Sequence, residues 1–388
     1  MKNAFLNEYE TKKALSEFIM KSEKLSMHEK CAEFENAFAK KQGRKEAILF
    51  NSGGSANLAM LQALKNMGYL KEGDKVGFSA LTWSTNTMPI IQMGLIPIPI
   101  DCELETLNVG SKQLIERLSK GITLNALFLT NVLGFVSDIW ELKRVCQENN
   151  IILIEDNCES LGTETPKGKA GNFGLGASFS FFVAHHMSTI EGGMVCTDDE
   201  DFAEMLRIVR ANGWDRNLTA KQQIKWRKKY GIKSEFEAKY TFYDLGFNFR
   251  PTEITGFLGL YQMQFLDENI QLREKNYLQL EKIMQTNTDF VQLQHEHISL
   301  LSTFAIPIVC KTPELREKYL SQFSGAGIEI RPMIAGNMQK QPFYKKYVQQ
   351  EYDLPNTDFL HYNAFYCGNY PELSVTDLET ISSCLYKY

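Results

Sequence analysis

Hydrophobic and polar residues form blocks of two kinds along the chain. Short apolar runs such as "DKVGFSA", "IPIPIDC", "NALFLTNVL" and "IILIEDNC" have strand length, and the stretches between them space their apolar residues three and four apart. The first pattern is typical of buried strands and the second of amphipathic helices. Because strands and helices of these lengths alternate, the sequence predicts an α/β fold with a mostly parallel sheet and helices on both faces.

Two other regions carry different patterns. Helical spacing over residues 11–41 predicts two helices before the first strand, and a long, broken helical pattern begins at Pro251. From about residue 292 the apolar segments are shorter. A chain of 388 residues exceeds the usual size of one core, so we predict a large domain over residues 1–265 and a small α+β domain over residues 266–388.

Composition and charge narrow the class of protein. The chain is 44% hydrophobic and 23% charged, with a net charge of −5 and no long basic run, so it lacks the electrostatic footprint of a nucleic-acid binder. No segment approaches the roughly 20 apolar residues that span a bilayer, and the first residues have no signal-peptide core. We therefore expect a cytoplasmic enzyme without nucleic-acid or membrane partners.

The eight cysteines are widely spaced, and no CxxC or zinc-type spacing occurs. We expect them to be reduced and mostly buried. His185 and His186 are adjacent, but neighbouring residues rarely chelate one ion, and no other His/Cys cluster accompanies them. The sequence therefore predicts no metal site.

Polar residues at predicted strand ends are candidates for chemistry. The segment "NSGGSANLAM", Asn51 to Met60, joins a strand to a helix, where backbone N–H groups can hold a phosphate. A serine-capped turn would explain it equally, since it matches neither a P-loop nor a dinucleotide fingerprint. Glu155, Asp156 and Glu159 follow a strand and either face a ligand crevice or cap the next loop. Trp83 follows another strand and either stacks on a planar ligand or packs in the core.

The adjacent histidines lie in "SFSFFVAHHMSTIEGGMV", Ser178 to Val195, after another apolar run. If the alternation of that strand continues through His185 and His186, their rings point in opposite directions and only one faces the crevice. The other ring would then lie in the core or at the surface.

In this order, the segments resemble those of the sugar aminotransferases, pyridoxal phosphate (PLP) enzymes of fold type I. The resemblance covers nearly the whole chain and rests on "SGGSANL", "TW", "EDNCES", "SFSFFVAHHMSTIEGG", "LGFNFRPTEITGFLG" and "GIEIRPMIAGN". It implies that Gly54, Ser55 and Ser180 hold the cofactor phosphate. It also implies that Trp83 covers the cofactor ring and that Asp156 pairs with the pyridine nitrogen, which keeps the ring an electron sink.

The same resemblance assigns further residues. Asn248 matches an asparagine that the family supplies to the phosphate of the neighbouring subunit, which implies a homodimer with shared active sites. Glu159 is a candidate cofactor contact, and His186, Arg250 and Arg331 are candidate substrate contacts. Arg331 suits the carboxylate of glutamate or the phosphates of a nucleotide. Glu159 and Arg331 would equally form scaffold ion pairs, and His186 would equally serve a structural role.

One position departs from the aminotransferase pattern. The family carries a lysine six residues before the Glu of "EGG", and the count back from Glu191 reaches His185. Histidine cannot tether PLP through a stable imine, but near neutral pH it can act as a general base. The resemblance therefore implies the sugar 3-dehydratase branch, which uses pyridoxamine phosphate (PMP), with His185 as the catalytic base.

Cysteine usage separates two versions of this branch. The iron–sulfur version needs four cysteine ligands, whereas here no cysteine lies between Cys196 and Cys310 and no two are close in sequence. The cluster-free version belongs to colitose synthesis for O-antigens. It implies a GDP-linked 4-keto-6-deoxyhexose as substrate, glutamate as amino donor and a 3,6-dideoxy-4-keto sugar as product. Two other hypotheses stay open: a nucleotide-sugar 4-aminotransferase whose cofactor lysine has been replaced, and a catalytically silent PLP-fold binding protein.

Overall fold

The computed structural model describes residues 4–386. Its strands are β1 Glu46–Phe50, β2 Lys75–Ser79, β3 Ile96–Ile100, β4 Ala126–Thr130, β5 Ile152–Asp156, β6 Glu164–Thr165, β7 Gly168–Lys169, β8 Gly176–Ser180, β9 Gly193–Thr197, β10 Ala305–Val309, β11 Ile330–Pro332 and β12 Ala364–Gly368. Its α-helices are α1 Glu8–Lys21, α2 Glu29–Gln42, α3 Gly53–Asn66, α4 Ser84–Gln92, α5 Ser111–Ser119, α6 Ile139–Glu148, α7 Glu200–Arg210, α8 Ala220–Lys229, α9 Glu235–Ala238, α10 Glu253–Met263, α11 Leu266–Thr286, α12 Pro313–Gly325, α13 Pro342–Tyr347, α14 Pro355–Asn363 and α15 Val375–Leu385. Among these residues, no helix is both long and apolar enough to cross a bilayer.

Seven strands form the main sheet, in the order β1-β9-β8-β5-β4-β2-β3. Strands β8, β5, β4, β2 and β3 run parallel, and β9 runs antiparallel to both β1 and β8. The predicted α/β fold with a mostly parallel sheet is therefore confirmed.

Both faces of this sheet are covered, which explains its unbroken apolar strands. In β4, Ala126 and Phe128 pack into one core cluster with α3 and α7, whereas Leu127 and Leu129 pack into another with α5 and α6. Successive side chains of a strand point to opposite faces, so a strand buried on both faces is apolar throughout.

A second, antiparallel sheet has the order β10-β12-β11. Its residues Ile306 and Phe365 share a core cluster with Leu133, which lies beyond β4 of the main sheet. Conversely, Met338 and Tyr344 pack into the cluster of the main sheet. The small α+β unit thus interlocks with the main sheet, and a domain boundary between residues 265 and 266 stays a prediction.

Candidate active site

A cavity of about 380 Å³ lies where β4, β5 and β8 end, at the edge of the sheet where α/β proteins bind ligands. Six of the residues singled out from the sequence line it: Gly54, Trp83, Asp156, Glu159, Ser180 and His185. A neighbouring cavity of about 580 Å³ shares Ala184, Phe304 and Tyr366 with it. The two cavities thus form one continuous cleft between the sheets.

The first turn of α3 forms one wall of the cavity. The Oγ of Ser52 caps this helix by accepting a hydrogen bond from the N–H of Ser55 at 3.0 Å. Ser52, Gly53 and Gly54 line the cavity, whereas Ser55 does not, because its hydroxyl contacts the Ser52 hydroxyl at 2.9 Å. The serine-capped turn considered from the sequence is therefore present, with Ser52 as the capping residue, although Ser52 was not singled out there as a residue of the site. The helix N-terminus offers N–H groups and partial positive charge to an anion.

Glycine is required where β9 passes this turn. A Cβ on Gly193 would lie 2.3 Å from the carbonyl oxygen of Ser52, and a Cβ on Gly53 would lie 2.7 Å from the side-chain Cβ of Ser180. The second glycine of the "EGG" motif therefore lets the strand approach the capped turn closely.

Replacement of Gly193 by alanine is expected to lower the free energy of unfolding by about 2–3 kcal/mol, because a Cβ would displace the Ser52 backbone. Urea denaturation measures the change. Gly325→Ala is the matched control, since its Cβ would meet nothing within 4 Å. Equal stability of the two variants would show that the close approach is absent.

Asp156 is held rigidly at the end of β5. Its Oδ2 accepts hydrogen bonds from Asn57 Nδ2 at 2.8 Å and from Asn86 Nδ2 at 2.7 Å, and its Oδ1 accepts one from the N–H of Cys158 at 2.9 Å. Sequence reasoning missed both asparagines, which are buried in α3 and α4. Among residues 4–386, no cationic side chain pairs with Asp156, although it is only 4% exposed. The site therefore suits a cationic ligand group.

Trp83 occupies the opposite lip of the cavity. It lies at the N-terminus of α4 and is 55% exposed, so its ring is not buried in the core. A planar ligand in the cavity can stack on an aromatic face presented in this way.

The histidines follow a strand that ends earlier than the sequence indicated. Strand β8 stops at Ser180, and the chain then turns, with the N–H of His185 donating to the carbonyl of Phe182 at 2.9 Å. Strand alternation therefore does not extend to the two rings, although one of them faces the cavity and the other lies in the core, as expected from the sequence. His185 lines the cavity, whereas His186 is 1% exposed and its Nε2 lies 3.1 Å from the carbonyl oxygen of Ser302. His186 thus lies behind the lining of this cavity, where the structural role considered from the sequence suits it, and a substrate contact by His186 stays a prediction.

The environment of His185 favours its neutral form. Burial lowers the pKa of His185 to about 4, and the positive charge of Arg273 acts in the same direction. Its Nδ1 is buried without a hydrogen-bond partner among the described residues, and the side chain lines the cavity. His185 can thus accept a proton at neutral pH.

Glu159 has the opposite perturbation. Burial raises its pKa to about 8, and the negative charge of Asp156 acts in the same direction, while a hydrogen bond from the N–H of Leu133 opposes both. At neutral pH the Glu159 carboxyl group therefore carries a proton and can donate a hydrogen bond.

The substitution Glu159→Gln is expected to stabilise the protein by about 1–2 kcal/mol at pH 8 and to change little at pH 5. The folded-state pKa of Glu159 lies above its ordinary value of 4.5, so wild-type stability falls as pH rises toward 8, whereas glutamine mimics the protonated group at every pH. Urea denaturation at both pH values tests this. The exposed Glu379→Gln serves as control, and an identical pH dependence in both variants would contradict the assignment.

Three further predicted residues lie outside this cavity. Arg331 lines the neighbouring cavity and forms an exposed ion pair with Glu329. Arg250 Nε donates to Asn248 Oδ1 at 3.0 Å on the exposed surface. None of these three side chains lines the cavity that contains His185 in the same chain.

The model of the DegT/DnrJ/EryC1/StrS aminotransferase family matches residues 7–386. The chain belongs to this family. Its position in the family is indicated by a GDP-4-keto-6-deoxy-D-mannose 3-dehydratase from Escherichia coli O55:H7, which is 34% identical over 91% of this chain and 90% of that protein. A protein of the same name from Yersinia pseudotuberculosis is 31% identical over 91% of this chain and 89% of that protein.

Solved structures of family members have the same fold as this chain. A GDP-4-keto-6-deoxymannose-3-dehydratase with a trapped PLP-glutamate geminal diamine has a TM-score of 0.87 and 32% identity, over 97% of both chains. PseC from Helicobacter pylori, an aminotransferase involved in the biosynthesis of pseudoaminic acid, has a TM-score of 0.83 at 21% identity, over 97% of this chain and 95% of that chain, and shows the fold alone. The resemblance drawn from the sequence motifs is therefore confirmed at the level of the family.

Proposed function

We propose that this chain is a PLP/PMP-dependent nucleotide-sugar 3-dehydratase. It removes the C-3 hydroxyl of a GDP-linked 4-keto-6-deoxyhexose, with glutamate as amino donor, to give a 3,6-dideoxy-4-keto sugar. The observation that carries this proposal is His185 in the cavity, at the position where the aminotransferase pattern has lysine, together with five of the predicted cofactor residues: Gly54, Trp83, Asp156, Glu159 and Ser180. The two 3-dehydratase relatives, each at least 31% identical, support it.

The residues of the cavity fit the cofactor. The capped N-terminus of α3, with Gly53 and Gly54, would hold its phosphate, and Trp83 would cover its ring. Asp156, an unpaired carboxylate fixed by two asparagines, would pair with the protonated pyridine nitrogen. When bound, PLP or PMP supplies a ring system that delocalises the electrons of a broken C–H bond.

The chain itself supplies the base and a sheltered site. The imidazole of His185 takes the proton, since its ring is neutral at neutral pH. Among the described residues, no lysine lines the cavity, so the cofactor is held by non-covalent contacts. Phe182, Phe304 and Ile334 line the cavity and restrict the access of water.

The neighbouring cavity offers room for the rest of the substrate. Arg331 stands there and would bind the nucleotide phosphates or the carboxylate of glutamate. The choice of GDP rests on the similarity to the two GDP-4-keto-6-deoxy-D-mannose 3-dehydratases. Arg250 lies farther out and stays a proposed substrate contact, as does the cytoplasmic location predicted from the sequence.

We also propose a homodimer with shared active sites. Two observations support it: Asn248 is exposed and does not line the cavity of its own chain, and Phe242 and Leu245 expose apolar side chains beside it. Mixing inactive His185→Asn and Asn248→Ala chains tests it. Recovery of about a quarter of wild-type activity on subunit exchange would support shared sites, whereas a monomer in sedimentation would overturn the dimer.

The test of the function is product analysis with GDP-4-keto-6-deoxymannose, PLP and glutamate. The expected result is a sugar that has lost one oxygen at C-3, with one ammonia and one 2-oxoglutarate formed for each glutamate consumed. A sugar that keeps its oxygens but gains an amino group would identify an aminotransferase instead. Failure of the protein to bind PLP or PMP would favour a catalytically silent binding protein.

A further inference from the structure

A buried guanidinium lies directly behind the catalytic histidine. Arg273, in α11, is 3% exposed. Its Nη1 donates to the carbonyl of Phe304 at 2.9 Å and also to that of Asn369, its Nη2 donates to the carbonyl of His185 at 3.5 Å, and its Nε donates to Asn269 Oδ1 at 2.8 Å. Among residues 4–386, no carboxylate forms an ion pair with it. Burying a cation without an anionic partner costs free energy, and the hydrogen bonds to main-chain carbonyls offset only part of that cost.

The contacts of Arg273 extend to both sides of the histidine turn. Asn269 Nδ2 donates to the carbonyl of His186, and Asn369 Nδ2 donates to Thr303 Oγ1 at 2.7 Å. The backbone carbonyl of Arg273 itself accepts from Asn369 Nδ2 at 2.8 Å. The turn is therefore fastened to α11 and, through it, to the residues that precede β10 and follow β12, at one end of the second sheet.

This arrangement places the ring of His185 as well as its backbone. The ring of Phe304, whose carbonyl binds Arg273, lies 5.2 Å from the ring of His185, measured between centroids. Phe304 also lines both cavities. A displacement of Arg273 would consequently move both the main chain of His185 and the aromatic wall beside its imidazole.

We propose that Arg273 is a positioning residue for His185: it fixes the turn that carries the imidazole, and its positive charge disfavours a second positive charge on that ring. The inference rests on the proposed function, in which His185 is the base. Arg273 thus contributes in two separable ways, by geometry and by charge, without touching the reacting atoms.

Charged and titratable groups of several elements share the surroundings of His185. Burial is the largest cause of its lowered pKa, and Arg273 is the next. The other charged and titratable groups that line these cavities are His186 in the same turn, Asp156 at the end of β5, Cys158 and Glu159 after it, Glu191 before β9, Glu329 and Arg331 at β11, Tyr366 in β12, Tyr370 and Glu372 before α15, and Asp377 in α15. The substitutions below change only Arg273 and leave these groups in place.

The experiment compares Arg273→Met and Arg273→Lys in the full chain. The imidazole of His185 is titrated by NMR with ¹³C-labelled histidine, and its signal is assigned from its loss in His185→Asn. We expect Arg273→Met to raise the pKa of His185 by about one unit, because a nearby like charge is removed. Lysine keeps the charge and should leave this pKa within about 0.3 units of wild type.

Steady-state kinetics then separates geometry from charge. The ammonium group of lysine cannot replace the planar guanidinium, which donates to several carbonyls at once. Arg273→Lys should therefore lower kcat roughly tenfold or more, with KM changed less than about twofold. The control is Arg117→Met, which removes another buried guanidinium that donates to a main-chain carbonyl, that of Asp353. It should change neither the pKa of His185 nor kcat.

An unchanged pKa of His185 in Arg273→Met would overturn the role of the charge, and an unchanged kcat in Arg273→Lys would overturn the role in positioning. If the methionine variant does not fold, a loss of kcat with wild-type titration in the lysine variant still supports positioning. The titration needs no turnover, so an inactive wild-type enzyme would refute the proposed function without removing this measurement.

Discussion

The His185→Asn variant is expected to lose about 1000-fold in kcat, while its affinity for PMP changes little. Asparagine keeps a polar side chain of moderate size but cannot accept the proton, and general-base catalysis by a side chain contributes between 10² and 10⁴ in rate. The proposed base is unprotonated across the neutral range, because burial lowers its pKa to about 4. Release of ammonia gives kcat, and titration of PMP fluorescence gives the affinity.

His186→Asn is the matched control, one residue along the chain. His186 is buried against the carbonyl of Ser302, so its replacement should lower the melting temperature more than it lowers kcat. Comparable losses of kcat in both variants would indicate that the turn, rather than the His185 imidazole, limits the reaction. A His185→Lys variant adds a further comparison: increased amino transfer to the sugar would favour the aminotransferase hypothesis.

The Asp156→Asn variant is expected to bind PLP about 100-fold more weakly and to lose about 1000-fold in kcat. The proposed contact is charged, and a charged hydrogen bond contributes about 1.5–3 kcal/mol. The neutral amide also fails to hold the proton on the pyridine nitrogen, which weakens the ring as an electron sink. Absorbance titration with PLP and steady-state kinetics measure the two effects.

Asp101→Asn controls for the loss of a structural carboxylate. Asp101 accepts hydrogen bonds from the N–H groups of Asn356 and Thr357 and does not line the cavity. This variant should bind PLP with wild-type affinity. If Asp156→Asn also binds PLP as tightly as wild type, Asp156 does not pair with the pyridine nitrogen.

Local patterns were sufficient to predict the sheet and several cavity residues. Apolar runs such as that of β4 are long enough for a strand and too short for a buried helix, and their ends bring Trp83 and Asp156 to one edge of the sheet. The motif was enough to show that His185 occupies the lysine position. The count of six residues back from Glu191 does not depend on how the chain folds between them.

Other features of the site depend on contacts between residues far apart in the sequence, which local patterns do not reveal. Asn57 and Asn86 look like ordinary polar positions of amphipathic helices, and their contact with Asp156 exists only because α3 and α4 begin at the same edge of the sheet. Arg273 lies 88 residues from His185 in sequence, in a helix rich in charged residues. The direction of His186 could not be predicted either, because it depends on where β8 ends.

The interlocked cores bear on how this enzyme could be recombined with its relatives. Met338 and Tyr344, late in the chain, complete the packing under the main sheet, while Leu133, from the first half, packs under the second. In a chimera joined between residues 265 and 266, side chains from two different proteins would therefore have to pack together in both cores. Functional exchange of segments between family members should require matched substitutions on both sides of the junction, so the two parts are constrained to evolve together.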